Sequence, residues 1–344
     1  MSDIRATMLA MGRDWFEDIT GFREEDYEST RSRLRVEGGE LVSTVNDRRC
    51  GIGNLTFPTV AKLRMQVDMP DGPRTTVRCV TGDVRAMHAE PEYEGALFQV
   101  ASQFNLLEMT GPSVTPEDGV TRYASDRTQG PACAIAAGAA TIYRNYFVPV
   151  GDEAGQTRER QLDGLRYVGE ALSRYLDQPV SDLWTMSNGY AMCTPSGLEA
   201  IRRLVGDGGE ELRDELRGWL AIGTHYDVEV TDVRKAERHL VSQAFCSALP
   251  VAYGGGRPQA WEALARIVLE ATYEATLLAA VDRQSNIVLL TRVGGGVFGN
   301  ADEWIDDAIV RAIKIVEHAG LDIRLVSHGS VHSSFRAIEE RFSA

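Results

Sequence analysis

Positive charge is scarce in this sequence of 344 residues. Lys and Arg together number 36 against 50 Asp and Glu, which gives a formal net charge of −14 at pH 7. No window of the sequence gathers enough Lys and Arg to form a basic patch. A protein that binds nucleic acid uses such a patch to neutralise phosphates, whereas an acidic surface repels them. We therefore expect no nucleic-acid partner.

Cysteines and long apolar runs are also scarce. The five cysteines are scattered and never spaced as CxxC, which fits reduced thiols better than a disulfide framework. No stretch approaches the ~18 apolar residues of a membrane-spanning helix. The amino-terminal segment carries acids where a secretory leader has an apolar core. We expect a soluble cytoplasmic protein with no membrane partner.

Internal repeats and low-complexity tracts are missing as well, so nothing divides the chain into independent units. The hydrophobic content of 43% is enough for a large core without disulfides or metals. We predict one domain over residues 1–344. Residues 75–150 and 223–344 would form its core, residues 1–74 an extension packed on that core, and residues 151–222 a helical insertion.

The order of apolar patterns indicates the fold class. Segments "TTVRCV", "ALFQVAS", "THYDVEVT" and "VSQAFCSALPVAY" alternate or are β-branched like strands, whereas "GPACAIAAGAATIYRNYF", "QLDGLRYVGEALSRYL" and "PSGLEAIRRLV" have helical composition or periodicity. A long apolar helix then leads into "NIVLLTRV", a strand apolar on both faces, and a further helix and the strand "LDIRLVS" follow. We predict an α/β fold, a three-layer α/β/α sandwich with a mixed sheet and large helical insertions.

A glycine-rich stretch, "VGGGVFGN" (residues 293–300), lies between that apolar strand and the next helix. Free backbone N–H groups in such a loop, together with the helix dipole, favour an anion such as a phosphate. A P-loop is missing because no Lys follows the glycines, and "GGGVFG" is not a GxGxxG motif at the first strand of the chain, where a dinucleotide-binding fold has it. The alternative is a tight turn that binds nothing. We expect Phe298 to cover a sugar or base and Asn300 to be the N-cap of the following helix.

Four motifs in chain order resemble the macrodomain family, the ADP-ribose-binding α/β/α module. "GGGVFGN" is similar to the family's loop over the diphosphate, "VRCVTGDVRAM" to its first strand and Gly-Asp-Ile turn, "ALFQVASQFN" to its Asn-bearing strand, and "TQGPACAIA" to its second glycine loop and helix. The resemblance implies ADP-ribose as the ligand, without a metal or other cofactor. The residues that it assigns to ADP-ribose are Asp83 and Val84 at the adenine, Gln103 and Asn105 at the ribose, and Gly130, Pro131, Ala132, Gly294, Gly295, Gly296, Val297, Phe298 and Asn300 around the diphosphate and distal ribose.

The departures from the family pattern concern the chemistry. "QGPA" stands where the family has three glycines, and small residues replace the Asp that some hydrolytic macrodomains carry there. The long segment 103–129 and the enlarged chain resemble the divergent MavL-like branch of macrodomain ADP-ribosylhydrolases. That branch implies removal of ADP-ribose from arginine side chains of a modified protein partner.

Four carboxylates are candidates for activating water in such a hydrolysis. Glu270 and Glu274 lie one turn apart on an otherwise apolar helix and so share a face; the alternative is a helix edge that contacts solvent or a structural arginine. Glu108 follows the Asn-bearing strand and Asp126 precedes the second loop, and the alternative for both is ordinary loop charge. The sequence does not choose among the four.

Histidines and acids elsewhere give little indication of a metal. His225, Asp227 and Glu229 alternate on one strand and would share a face, but three ligands on one strand do not encircle an ion. His328 and His332 have a spacing that suits a metal only within a helix, and the Gly and Ser between them indicate a loop. We expect no metal site.

Three functions remain open on the sequence. The first is an ADP-ribosylhydrolase that acts on protein side chains, with arginine expected. The second is a reader module that binds ADP-ribose without turnover. The third is a structural α/β domain whose glycine loop binds nothing.

Overall fold

The computed structural model describes residues 14–232, 238–255 and 257–343. Its centre is a seven-stranded sheet with the strand order β4-β11-β12-β6-β13-β14-β5. The strands of the described residues are β1 (Leu34–Glu37), β2 (Glu40–Ser43), β3 (Arg49–Gly51), β4 (Asn54–Thr56), β5 (Thr76–Thr81), β6 (Leu97–Ala101), β7 (Pro149–Val150), β8 (Glu153–Ala154), β9 (Trp184–Ser187), β10 (Tyr190–Cys193), β11 (Gly223–Glu229), β12 (Leu240–Cys246), β13 (Ile287–Leu290) and β14 (Asp322–Ser327).

Helices cover the sheet and fill the long connections between its strands. The α-helices of the described residues are α1 (Trp15–Thr20), α2 (Tyr27–Ser32), α3 (Val60–Gln66), α4 (Val84–His88), α5 (Gln129–Ala136), α6 (Gly138–Tyr146), α7 (Arg166–Leu176), α8 (Val180–Leu183), α9 (Pro195–Trp219), α10 (Glu262–Asp282), α11 (Asp302–Ile315) and α12 (Ser333–Phe342). No helix in the described ranges is both long and apolar enough to span a membrane.

The sheet is mixed, as predicted. Strands β12, β6, β13, β14 and β5 run parallel to one another, whereas β11 pairs antiparallel with β12 and with the edge strand β4. The parallel strands are joined through helices, which is the connection that parallel pairing requires. Strand β4 comes from the part of the chain that we assigned to an amino-terminal extension.

Alternating side chains of the central strands point into two different cores, which makes the fold three-layered. Leu97 of β6 and Val288 of β13 pack in one cluster with helices α9, α10 and α11. Their neighbours Phe98 and Leu289 pack in a second cluster with α4 and residues around the α5–α6 junction. Side chains of a strand alternate between faces, so β6 and β13 each contribute to both cores and are mostly apolar. The predicted α/β/α sandwich is confirmed.

The small-residue segment after Gly130 differs from the prediction, because it forms two helices and not one. The chain leaves helical geometry at Ala137 (φ −112°, ψ 56°), between α5 and α6. The Gly138 N–H donates to Thr231 Oγ1 at 2.8 Å, and the Thr141 hydroxyl donates to the Ala134 carbonyl at 2.7 Å. One side chain from outside the segment, Thr231, and one from within it, Thr141, therefore satisfy groups that a continuous helix would have paired.

Candidate active site

A cavity of about 300 Å³ lies at the carboxyl edge of the parallel strands β6 and β13. This edge is where α/β sheets bind ligands, because the loops that leave the strands converge there. The residues that line it are Ala101, Ser102, Gln103, Glu108, Met109, Asp126, Thr128, Gln129, Gly130, Pro131, Ala248, Thr291, Arg292, Val293, Gly294, Gly296, Val297 and Phe298. Three of the four sequence motifs therefore meet at one place.

The glycine loop after β13 is closed at its base by Asn300. The backbone N–H of Asn300 donates to the Gly294 carbonyl at 2.9 Å, and its side-chain Nδ2 donates to the Gly294 and Leu249 carbonyls at 3.1 and 2.9 Å. The prediction that Asn300 is an N-cap is wrong, because α11 begins at Asp302 with Ala301 as its N-cap. Asn300 is buried and does not line the cavity. Its side chain fixes the shape of the loop.

Gly294 is a position in this loop that only glycine fits. Its φ is +79°, and a Cβ there would lie 2.4 Å from the Cβ of Ala248. Gly296, in contrast, has open space where a Cβ would be. Gly295 stands between these two and is not itself part of the cavity wall. The glycines therefore serve two different purposes, one for backbone geometry and one for leaving space in the cavity.

The tip of the loop brings Val297 and Phe298 to the cavity. Val297 is exposed, with 56% of its surface accessible. The Phe298 ring lies 5.3 Å from the ring of Tyr190 and 5.9 Å from that of Tyr253, measured between centroids. Tyr190 belongs to the β9–β10 hairpin of the predicted insertion, so this insertion supplies part of the site. Phe298 lines the cavity, and the two tyrosines pack behind it, so its ring is held in a position suited to stacking against a sugar or a base.

The second loop approaches the end of β6 very closely at Gly130. A Cβ on Gly130 would lie 1.9 Å from the Ala101 carbonyl oxygen and 3.2 Å from Cγ of Glu108. The Gln129 side chain accepts from the Ala101 N–H at 2.8 Å and donates to the Gln99 carbonyl at 2.7 Å, as a neighbouring strand would. The amino-terminal turn of α5 is thereby held against the cavity, where its N–H groups favour an anion.

Glu108 sits in a compact turn whose backbone is held by side chains. Gln103 N–H donates to the Leu107 carbonyl at 2.9 Å, and the Gln103 side-chain oxygen accepts from Met109 N–H at 2.6 Å. The Tyr190 hydroxyl donates to the Met109 carbonyl at 2.7 Å. These contacts join the turn to the hairpin and fix where the Glu108 side chain begins.

The Glu108 carboxylate is fully buried and only partly satisfied. Oε1 lies 3.5 Å from Nη2 of Arg144, and both side chains have no accessible surface. Oε2 has no hydrogen-bond partner in the described part of the chain. Burial raises the pKa of the Glu108 carboxyl to about 7, against the lowering influence of Arg144. A carboxyl with this pKa exchanges a proton readily near neutral pH, as a general acid or base must.

Asp126 is the second carboxylate on the cavity wall. Its Oδ1 accepts from the Thr128 N–H at 2.8 Å, which shapes the turn that leads into α5. The side chain is half-buried. The structure therefore brings two of the four candidate carboxylates, Glu108 and Asp126, to the same cavity.

The structure places Glu270 and Glu274 elsewhere. Glu274 accepts from Arg64 and Arg311, and Glu270 accepts from Arg217 at 2.6 Å. Neither residue lines the cavity between the glycine loops. The two acids face arginines of helices α3, α9 and α11, so the geometry is that of the alternative we considered, a structural contact with arginine.

Besides Gly295 and Asn300, four further residues assigned to ADP-ribose lie outside the cavity wall. Asp83 is exposed and caps α4 by accepting from the Arg85 N–H at 2.9 Å, and Val84 is half-buried in the apolar cluster beneath. Asn105 is fully buried, with its amide donating to Gln161 Oε1 at 2.8 Å. Ala132 follows Pro131 but does not reach the wall. Asn105 thus supports the Glu108 turn from behind.

The predicted polar stripe on β11 does not form. Asp227 has a φ of +56° at a bulge, and the register with β12 shifts between His225 and Val228. The extra residue breaks the alternation, so His225 is buried, whereas Asp227 is exposed. The described residues hold no group of three or more His, Cys, Asp or Glu that could bind a metal ion.

Several residues of the site were missed by the sequence reasoning. Gln129 and Arg292 line the cavity directly, and the Arg292 guanidinium pairs with Asp302 and Asp306 of α11. Tyr190 and Arg144 support it from the insertion and from α6. Gln129 and Arg292 stand next to the two glycine motifs, and that adjacency is a usable signal. Arg144 lies in a helix with no marker beyond being a charge in an apolar segment.

Comparison with solved structures finds an overall likeness to bacterial poly(ADP-ribose) glycohydrolases. The enzyme from Thermomonospora curvata is 12% identical, with 84% of this chain and 85% of that chain covered and a TM-score of 0.42. The enzyme from Deinococcus radiodurans in complex with ADP-ribose is 10% identical, with 84% and 94% covered and a TM-score of 0.44.

No known family model matches the sequence. No curated protein matches it either.

Proposed function

We propose that this protein is an ADP-ribosylhydrolase that releases ADP-ribose from protein side chains, with arginine as the modified residue. The observation that carries the proposal is Glu108, a buried carboxyl with a pKa of about 7 and one unpaired oxygen, on the wall of a cavity between two glycine loops. The resemblance of four motifs to the macrodomain family supports ADP-ribose as the ligand. The enlarged segments support the MavL-like branch.

In this proposal the two loops hold the diphosphate. The first turn of α5 and most of the glycine loop line the cavity, and the dipole of a helix favours negative charge at its amino-terminal end. Phe298, backed by Tyr190 and Tyr253, covers the sugar that lies against the loop. Glu108 lies directly beside the second loop, since a Cβ on Gly130 would be only 3.2 Å from Cγ of Glu108. A distal ribose bound against this loop is therefore next to Glu108. No metal or cofactor is part of this scheme.

The reaction replaces the bond between ribose C1 and a guanidinium nitrogen by a bond to water oxygen. Glu108 in its ionised form accepts a proton from the attacking water, and the leaving guanidine gains a proton and departs as the guanidinium cation. A pKa near 7 leaves both forms of Glu108 populated at neutral pH, so that Glu108 can pass the proton on to the leaving guanidine. Asp126, on the same wall, is placed to attract the cationic leaving group.

Two acids on the wall favour an arginine adduct over the link between riboses in poly(ADP-ribose). The guanidinium leaving group carries a positive charge, which carboxylates stabilise, whereas a ribose hydroxyl is neutral. The bacterial enzymes with a similar overall fold are poly(ADP-ribose) glycohydrolases, so poly(ADP-ribose) is the competing substrate to compare. Both substrates belong in the test.

The experiment measures free ADP-ribose released from an arginine-ADP-ribosylated protein and from poly(ADP-ribose). We expect release from the first and at least tenfold less from the second. Glu108→Gln should abolish release while calorimetric binding of ADP-ribose persists, because glutamine keeps the shape and removes the proton acceptor. Glu340→Gln, an exposed acid of α12, is the matched control and should behave as the wild type. An arginine adduct still intact after long incubation with excess protein would contradict the proposal.

The second candidate function is a reader that binds ADP-ribose without turnover. It is favoured by the sealing of Glu108, whose side chain has no accessible surface to admit water before a ligand binds. A reader would bind ADP-ribose in the calorimeter, release none from either substrate, and retain its affinity in Asp126→Asn. Binding of nothing at all would favour the third possibility, a structural domain.

A further inference from the structure

Arg144 of α6 is a fully buried charge directly behind the proposed catalytic carboxyl. It has no accessible surface, and its Cζ lies 3.8 Å from the centroid of the Phe245 ring of β12. A buried guanidinium is costly to keep unless its donors are used and its charge is balanced. The contacts of Arg144 therefore show what its charge and its donors are used for.

The guanidinium of Arg144 contacts the Glu108 turn at two points. Its Nε donates to the Leu106 carbonyl at 3.1 Å, and its Nη2 lies 3.5 Å from Glu108 Oε1 and donates to the Thr141 hydroxyl at 3.1 Å. Glu108 is the one carboxylate with which Arg144 forms an ion pair in the described ranges. A single planar group thus contacts both the backbone and the acid of the same turn, which suits the fork geometry of arginine.

The turn needs such support because Leu106 has a left-handed backbone. Its φ is +64°, a conformation that is unfavourable for leucine and persists only where surrounding contacts enforce it. Gln156 adds to these contacts by donating from Nε2 to the carbonyls of Asn105 and Arg144, each at 3.0 Å. Glu108 follows Leu106 by two residues, so the orientation of its side chain depends on this strained backbone.

The other titratable groups around Arg144 carry no competing charge. His225 faces Nη1 of Arg144 with Nδ1 at 3.5 Å, and a guanidinium only donates, so Nδ1 is the acceptor. Burial, reinforced by Arg144, lowers the pKa of His225 well below its usual value, which keeps it neutral. Burial raises the pKa values of Tyr123 and Cys133 well above theirs, and both stay protonated. The charge of Arg144 therefore acts on Glu108.

We propose that Arg144 is the positioning residue of this site: it fixes the strained turn through Leu106 and holds Oε1 of Glu108, which leaves Oε2 for the reaction. This role rests on the proposed function for its catalytic consequence, though not for its effect on Glu108. Arg144 touches no substrate in this scheme. It acts through the orientation and the ionisation of the carboxyl beside it.

The test compares Arg144→Met and Arg144→Lys with Arg217→Lys. Arg217 is the matched control, since it is also buried and paired with acids, but in the separate network of Glu270, Glu210 and Asp214. The first readout is the titration of Glu108 by NMR of protein with ¹³C-labelled glutamate side chains, with the signal assigned by its loss in Glu108→Gln. The second is hydrolysis, with ADP-ribose affinity measured alongside.

We expect Arg144→Met to raise the midpoint of the Glu108 titration by about one to three pH units, because an opposite charge that favoured the ionised form is gone. Arg144→Lys keeps a charge but loses the planar fork, so the midpoint should move less. In both variants kcat should fall at least tenfold while the Kd for ADP-ribose stays within threefold. Arg217→Lys should leave the midpoint and kcat unchanged.

An unmoved midpoint in Arg144→Met, or an equal shift in Arg217→Lys, would overturn the positioning role. Wild-type kcat in Arg144→Lys would also overturn it, and this arm stands even where the methionine variant does not fold. The titration needs no turnover, so the two proposals fail separately. A shifted midpoint in a protein without hydrolase activity refutes the proposed function alone.

Discussion

Replacing Glu108 by glutamine should change how the stability of the protein depends on pH. The folded state raises the pKa of this carboxyl from 4.5 to about 7, mainly through burial. Folding therefore favours the protonated form, and the stability present below pH 4.5 is lost as the pH rises through 7. The difference of 2.5 units corresponds to about 3 kcal/mol in the free energy of unfolding at ~1.36 kcal/mol per unit. Glutamine does not ionise, so Glu108→Gln escapes that loss.

The assay is urea unfolding of the wild type and of Glu108→Gln at intervals from pH 4.5 to pH 8.5. Across this range the free energy of unfolding of the variant should rise by about 3 kcal/mol relative to that of the wild type, with most of the rise between pH 5 and pH 7.5. Loss of the partner of Arg144 adds a constant offset between the two curves and leaves their divergence intact. Glu340→Gln should give a curve parallel to that of the wild type. Parallel curves for Glu108→Gln would refute the argument that burial controls this carboxyl.

Three further substitutions test the site and its surroundings. Gly130→Ala would place a Cβ 1.9 Å from the Ala101 carbonyl oxygen and should lower the melting temperature and weaken ADP-ribose binding, whereas Gly296→Ala, with open space, should leave the melting temperature unchanged. Phe298→Ala should weaken calorimetric binding of ADP-ribose about tenfold, a loss of roughly 1.4 kcal/mol from one stacked ring; unchanged affinity would exclude the stacking role. Glu274→Gln should cost roughly 2 kcal/mol in urea unfolding, because Arg64 and Arg311 then keep only Asp214 as a shared acid, while kcat per folded molecule stays the same.

The elements of the core could be predicted from sequence because their signals are local. The apolar run at Ile287–Leu290 had to be a strand covered on both faces, and the stripe from Trp304 to Ile313 had to be a helix on the sheet. The break at Ala137 could not be predicted in this way. It depends on Thr231, almost a hundred residues away in the chain, which takes the N–H of Gly138.

The candidate site divides in the same way. Gly130, Gly294 and Phe298 could be predicted from the glycine motifs in which they stand. A loop that binds an anion needs glycine at particular positions, where the backbone must come close to its neighbours. The carboxylates could not. Four acids lie near motifs or on one helix face, and sequence spacing does not choose among them. The fold pairs Glu270 and Glu274 with arginines.

The sequence by itself determined the α/β/α layering, six of the seven central strands (all except β4) and the glycine loops, since periodicity and turn chemistry act within a few residues of one another. The tertiary structure alone decided which of the four acids is buried at the cavity with a raised pKa. In the sequence alone, nothing distinguishes Glu108 from other loop acids. Its carboxyl differs from them because Arg144, Gly130 and the β9–β10 hairpin surround it in the fold. Desolvation and ion pairing depend on neighbours brought from distant parts of the chain, and a shifted pKa is therefore a property of the fold.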